Sequence, residues 1–453
     1  MHTFIAGGGG NEVGGSFYCV KFENGEILAV DCGGRPYSDA RDIKALNLSD
    51  EKQLMIQRLT EKKLPKKPFP KLVVVPRVDY LLVTHGHFDH IGAIVLLVKR
   101  NPNIRIFATF ESKFLMRYQW YSSVQIAERR GERPPYEYAD IETALRRVEV
   151  IPATDEFIPP IALSDNLSFV PVRAGHILGA VSYFILYKDE VIGFFSGDIS
   201  YDDQRTCRGA PKIALDGIRF AVTDSTRLTE TVAPYEVTDR EIINKVRNAI
   251  YRGVSVWFLV FAIGRAEEAW ELMREAFPTV PRWIDGSARD ISKLYRDRLN
   301  GAFDPAIERH FIKNNAHRQM VISSDTPNIV VVPSAMQFGG YSRYYVKEGI
   351  ERENRLFVSL GWIDPCSPEY AFFESDCGDA FRIEGITYSR MCDVARFNRT
   401  AHCGGDDVLE MRERLKPDKI ILVHGDDEKM GEFLVAHPNK GFVKGKNFER
   451  IEL

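Results

Sequence analysis

Between residues 85 and 90 the chain places three imidazoles and one carboxylate, His85-Gly86-His87-Phe88-Asp89-His90, directly after the apolar run Tyr80-Leu81-Leu82-Val83-Thr84. A run that apolar belongs to a buried strand, and Ile91 to Arg100 reads as the helix that follows it. The cluster therefore sits at the carboxyl end of a strand, where open α/β sheets place their chemistry. Imidazole nitrogen and carboxylate oxygen suit zinc, and two cations roughly 3.5–4 Å apart can share one bridging hydroxide and clamp the charge of an in-line displacement. An ordinary surface loop has no reason to concentrate such groups, so the chain is constrained to a fold that closes around a metal centre.

Two metals need more ligands than this cluster offers. His176, in Ala174-Gly175-His176-Ile177-Leu178-Gly179-Ala180, follows the predicted strand Leu167 to Val172; Asp198, in Ser196-Gly197-Asp198, follows the predicted strand Val191 to Phe195. Both sit beside glycines that let backbone approach a cation closely. His424 follows the apolar run Ile420-Ile421-Leu422-Val423, and His402 lies in a loop before a predicted helix, Asp407 to Leu415. His2, His310, His317 and His437 stand in polar or terminal contexts and read as structural or exposed.

With 453 residues the chain exceeds one ordinary core, so two domains, or one domain with a large insertion, are expected. The first half alternates predicted strands (Ser16 to Lys21, Glu26 to Asp31, Lys71 to Val75, Tyr80 to Thr84, Ile104 to Ala108) with turns, and Tyr118 to Arg147 suggests a helical excursion broken at Pro134-Pro135. From about Leu215 a βα rhythm sets in, beginning at Phe220 to Thr223 and running to Ile329 to Val332, which implies a second, parallel sheet. A net charge of -3 gives no global pull toward nucleic acid, so a polyanion must be held by a local patch. Lys62, Lys63, Lys66, Lys67 and Lys71 form one weak candidate in what otherwise reads as a solvated connection. Seven scattered cysteines without a CxxC pair argue against a disulfide framework, and no segment approaches a membrane span, so a soluble cytoplasmic protein without membrane partners is expected.

These residues resemble the metallo-β-lactamase superfamily and, within it, the β-CASP nucleases. The resemblance implies His85, His87 and His176 on one zinc, Asp89, His90 and His424 on the other, and Asp198 bridging, with manganese as an alternative metal. Asp31, in Leu28-Ala29-Val30-Asp31-Cys32-Gly33, is similar to an aspartate that supports the ligands from behind. Asp224 in Thr223-Asp224-Ser225-Thr226 resembles the acidic motif A, His402 the motif B histidine and His424 the motif C position. The implied fold is α/β: an αββα sandwich (1–212 and 389–453) carrying an inserted β-CASP domain (213–388) with a parallel sheet and flanking helices. Val260 to Glu268, Ile284 to Ala288 and Pro333 to Gly340 resemble stretches of that insertion.

Chemistry supports those roles independently. Phosphodiester hydrolysis needs a nucleophile, charge neutralisation and a proton for the leaving oxygen; metals held by residues such as Asp89 supply the first two, and His402, oriented by Asp224, is placed to supply the third. Arg265, Ser334, Gly339 and Gly340 are candidates to hold substrate phosphates, with helix capping or tight turns as the competing explanation. A histidine at motif C implies RNA over DNA, and the Gly175 to Ala180 stretch is closer to the 3′-end-processing endonuclease branch than to the RNase J pattern. The expectation is a two-zinc ribonuclease acting on single-stranded RNA, as a homodimer or within an RNA-processing complex. A DNA nuclease, a thioester or lactam hydrolase and a non-catalytic scaffold subunit remain the alternatives.

Overall fold

The computed structural model describes residues 1–35, 68–334, 340–364 and 367–453. The lysine-rich connection up to Lys67 and Gly339, both singled out above, lie outside the described residues. Strands are numbered β1 to β21 along the chain. The first sheet holds β1 (Thr3–Gly8), β2 (Phe17–Lys21), β3 (Ile27–Val30), β4 (Tyr80–Leu82), β5 (Arg105–Thr109), β6 (Val148–Ile151) and β21 (Arg450–Glu452), in the order β21-β1-β2-β3-β4-β5-β6. The second holds β7 (Ile161–Ala162), β8 (Leu167–Arg173), β9 (Val181–Tyr187), β10 (Glu190–Phe195), β11 (Ile218–Asp224), β19 (Pro417–Val423) and β20 (Phe442–Lys444), in the order β20-β19-β11-β10-β9-β8-β7.

The period-two alternation of side chains makes these sheets a sandwich. Along β2, Tyr18 and Val20 face the second sheet while Phe17 and Cys19 face the helical layer; Leu82 and Leu81 of β4 divide in the same way. Phe169, Tyr183, Phe220 and Ile421 of the second sheet complete the middle core. Helices Ile94–Arg100, Phe110–Arg130 and Tyr138–Arg146 cover the first sheet, the last two flanking the Pro134-Pro135 break.

A third, parallel sheet is built from β12 (Ser255–Val260), β13 (Arg282–Ile284), β14 (Ile329–Pro333), β15 (Arg355–Leu360) and β18 (Asp393–Phe397), in the order β13-β14-β12-β15-β18. Both of its faces are covered: Val256 and Phe258 point into the core shared with the sandwich, Trp257 and Leu259 into a separate one. β16 (Ala380–Ile383) and β17 (Ile386–Ser389) form a hairpin beside it.

Sheet membership shifts the expected domain limits by one strand at each end. β11 was assigned to the second domain by the βα rhythm, but it pairs in parallel with β10 and β19 of the sandwich. β18 lies beyond residue 388 yet pairs with β15 of the third sheet. Its Asp393, Val394 and Ala395 are only partly buried, so it lacks the apolar run that marks an interior strand. Lys71 to Val75, expected as a strand, contains a single 3-10 turn at Leu72–Val74 instead. The helix expected from Ile91 to Arg100 is divided at Gly92 and Ala93 into Phe88–Ile91 and Ile94–Arg100.

Candidate metal centre

Every expected ligand leaves the same edge of the sandwich. His85 to His90 follow β4, His176 follows β8, Asp198 follows β10, Asp224 ends β11 and His424 follows β19. The structure gathers their donor atoms into three overlapping groups: His85, His87, His176 and Asp198; Asp89, His90 and His424; and Asp198, Asp224, His402 and His424, each within 4.8 Å. In the first group His87 Nδ1 lies 3.1 Å from both His85 Nε2 and His176 Nε2. Asp198 stands between the two halves with one oxygen turned to each. Its Oδ2 is 3.6 Å from His85 Nε2 and His176 Nε2, and its Oδ1 is 3.4 Å from His90 Nε2 and 3.2 Å from His424 Nδ1.

The outer ring nitrogens of His85, His87 and His176 explain why the inner ones face each other as lone pairs. His176 Nδ1 lies 2.8 Å from the Ala401 carbonyl, which only accepts, so Nδ1 carries the proton and Nε2 is bare. By the same reasoning His87 holds its proton on Nε2, 3.4 Å from the Ile263 carbonyl, and His90 on Nδ1, 2.7 Å from Asp31 Oδ2. Thr84 donates its hydroxyl proton to Asp31 Oδ2 at 2.7 Å and so accepts from His85 Nδ1 at 3.0 Å. Asp31 also accepts the Thr84 backbone N–H at 2.8 Å, an arrangement reached with Asp31 in the left-handed region at φ 57.

This donor set fits two divalent cations. Burial holds His85, His87 and His176 below the usual imidazole range, so their rings are neutral, the form that ligates a metal. In the other half, against burial, Asp198, Asp89 and Asp31 raise His90, while Asp198, Asp224 and Asp89 push His424 up to about 10. Converging buried carboxylates thus draw positive charge into this space. Among the described residues, the buried His90 Nε2 and Asp198 Oδ1 have no hydrogen-bond partner, and a cation between them would satisfy both.

His402 borders the cluster. Its Nδ1 donates to Asp224 Oδ2 at 2.7 Å, while Asp224 Oδ1 accepts from the Thr226 backbone at 2.9 Å and the Thr226 hydroxyl at 2.7 Å. Against burial, His402 holds the Asp224 carboxyl well below the usual carboxylate range. Its side chain keeps 18% exposure, in contrast to the 4% of His424, so the imidazole meets both solvent and the cluster.

The expected phosphate-holding residues fare differently. Arg265 is buried, and its guanidinium donates to Gln204 Oε1 in the contact between the sandwich and the inserted domain. Ser334 donates to the buried carboxylate of Glu369 at the end of β14. Gly340 adopts φ 76 ahead of helix Tyr341–Gly349 with open space where a Cβ would stand. Sequence reasoning passed over Thr84, Thr226, Gln204, Arg399 and the Ile263 carbonyl. The threonines adjoin cluster residues and were within reach of it; the others act across the chain and leave no local pattern.

Comparison with known proteins places this geometry. Residues 60–234 match the metallo-beta-lactamase superfamily, and residues 387–434 match a Zn-dependent metallo-hydrolase RNA specificity domain. The chain is 25% identical over 359 residues to Probable RNase MJ4 of Methanocaldococcus jannaschii, covering 77% of this chain and 82% of that one. It is 24% identical to Endoribonuclease YSH1 of Candida glabrata, covering 96% of this chain and 56% of the relative. It is likewise 24% identical to Transcription termination factor FttA of M. jannaschii, with 94% and 67% covered. It thus spans little more than half the length of the yeast relative. A crystal structure of a protein of unknown function from Enterococcus faecalis V583 shares the fold with a TM-score of 0.59 at 12% identity, over 100% of both chains. Among the described residues no helix is long and apolar enough to cross a membrane. Family models and relatives agree: the chain matches the metallo-β-lactamase superfamily and its RNA specificity domain over these stretches and is similar along most of its length to β-CASP ribonucleases of that superfamily.

Proposed function

We propose that this protein hydrolyses RNA phosphodiester bonds at a centre of two divalent cations, zinc or manganese, with His402 as general acid. The observation that carries the reading is Asp198, whose two oxygens face two separate sets of ligand atoms while Oδ2 also lies 4.0 Å from His402 Nδ1. His85, His87 and His176 would hold one cation, Asp89, His90 and His424 the other, and Asp198 both. When bound, such a pair supplies Lewis acidity toward the phosphate and activates water for in-line attack.

The protein's own groups do the rest. Asp224 fixes the Nδ1 proton of His402 and stabilises the imidazolium, which leaves Nε2–H to protonate the leaving oxygen. Thr226 saturates the other Asp224 oxygen, so the carboxylate cannot swing away from the ring. Asp89 turns Oδ2 to His424 Nε2 at 3.2 Å and keeps the second set of ligands in register. RNA is the substrate that the names of the relatives favour, and a single strand is proposed because it can thread between sandwich and insertion. Ser334 and Gly340 are proposed to face its backbone at the carboxyl end of the third sheet; Arg265 and Gly339 complete the proposed phosphate-holding set. A homodimer or an RNA-processing complex in the cytoplasm is the proposed setting.

The test uses the same single strand labelled at the 5′ or the 3′ end, as RNA and as DNA, with zinc and manganese compared. Metal-dependent cleavage of RNA by the parent, and none by Asp89→Ala, is expected, and the label pattern separates internal cleavage from stepwise removal. Preferential cleavage of DNA, or equal cleavage by Asp89→Ala, would sink the proposal.

A further inference from the structure

Among the described residues, the insertion reaches the candidate metal centre from behind, at the His87 and His176 side. The turn between β12 and helix Arg265–Ala276 brings the Ile263 carbonyl to His87 Nε2. Gly264 follows at φ 81, and a Cβ there would stand 2.6 Å from Ile177 Cγ2, beside His176. Arg265 donates to Gln204 Oε1, and the Gln204 amide donates to the carbonyls of Gly175 at 2.7 Å and His176 at 3.0 Å. Further along the same helix, Glu268 accepts from the Thr206 backbone at 2.7 Å and pairs with Arg399 at 2.9 Å. Arg399, which also pairs with Asp239 at 2.7 Å, anchors the segment whose Ala401 carbonyl accepts from His176 Nδ1. His90 and His424, in contrast, are oriented by Asp31, Thr226 and Asp89 of the sandwich.

We propose that the turn 261–265 of the inserted domain is a positioning element for the cation held by His85, His87 and His176, coupling affinity at that position to the contact between the two domains, whereas the Asp89, His90 and His424 position is independent of that contact. The inference rests on the two-cation reading above. Its physical basis is that a carbonyl fixing the tautomer of a ligating histidine keeps the lone pair on the metal side, and loss of such a partner costs about 10–100-fold in metal affinity. Coupling is reciprocal, so occupancy of this position strengthens the contact between the two domains in turn.

The test is a Co²⁺ titration of the full-length apo-protein, followed by absorbance and by melting temperature. The parent is expected to bind two ions per chain in separable steps, with His87→Ala and Asp89→Ala each assigning one step by its loss. Gly264→Val, which forces the turn off Ile177, and Gln204→Leu, which cuts the Arg265 link together with the amide bonds to the Gly175 and His176 carbonyls that this link orients, should each weaken only the His87 step, by about 10–100-fold. Phe357→Leu, a cavity in the insertion's separate core, should lower the melting temperature and leave both steps unchanged. Parent-like steps in Gly264→Val and Gln204→Leu, or equal weakening of both steps, would overturn the coupling. A parent that binds fewer than two ions would instead overturn the two-cation reading beneath it.

Discussion

The two halves of the metal centre contain similar donors but are supported by different parts of the molecule. His90 and His424 lean on Asp31 and Thr226, which lie just past the ends of β3 and β11 of the sandwich. His87 and His176 lean on Ile263, Ala401 and, through Gln204, on Arg265, all of which depend on the insertion or on the segment that returns from it. One half is built at a sheet edge of the sandwich; the other is completed across a domain contact. The inserted domain is thus in contact with the supports of one half of the candidate metal centre.

Four experiments break or sharpen that contrast, in order of falling effect. Asp198→Ala removes the one carboxylate common to both halves; cleavage is expected to fall about a thousandfold or more, since several kcal/mol of charge stabilisation are lost. Elemental analysis should then find fewer than two metals per chain, and a fully loaded Asp198→Ala protein would show that the halves do not share it. His402→Ala should lower RNA cleavage by about 10²–10⁴-fold with metal content intact. Bis(p-nitrophenyl) phosphate, whose leaving group needs no proton, should be much less affected, and an equal loss on both substrates would remove His402 from the acid role.

Thr226→Val cuts the contacts to Asp224 and His424 without touching the insertion, so it should weaken only the Asp89 step of the Co²⁺ titration, by about tenfold. Weakening of the His87 step would erase the contrast. Glu369→Gln lies farthest from the cluster and should leave both steps alone. Burial pushes the Glu369 carboxyl up to about 7 from 4.5, against the Ser334 hydroxyl and Arg396. The folded state therefore binds its proton more tightly than the unfolded chain, and the parent loses stability as pH rises from 4.5 through 7, by about 3 kcal/mol in all. Glu369→Gln should cancel that loss, so denaturant midpoints of parent and variant agree near pH 4 and diverge by pH 8; parallel curves would refute the burial of a reluctant carboxylate.

Much of this centre was legible in the chain because its ligands follow apolar strands. β4, β8, β10, β11 and β19 announce themselves by composition, and the residue after a buried strand has little choice about where it emerges. β18 was not legible: half-buried at an edge, with Arg396 exposed, it carries no apolar run, and the insertion was ended too early in consequence. β11 was legible as a strand but not as a partner, since its apolar pattern would suit either sheet. The Gln204 contact of Arg265 was not legible for a related reason. A guanidinium satisfies a phosphate or an amide oxygen equally well, and the position of Gln204 is set by tertiary structure.

The sequence by itself determined the ligand chemistry, the strand ends that carry it and the family, because these depend on residue type and on periodicities of a few residues. Tertiary structure alone decided which carbonyl faces which imidazole and therefore which nitrogen holds the proton. Such contacts join residues as far apart as His176 and Ala401, and a backbone carbonyl has no side-chain identity for a sequence to display.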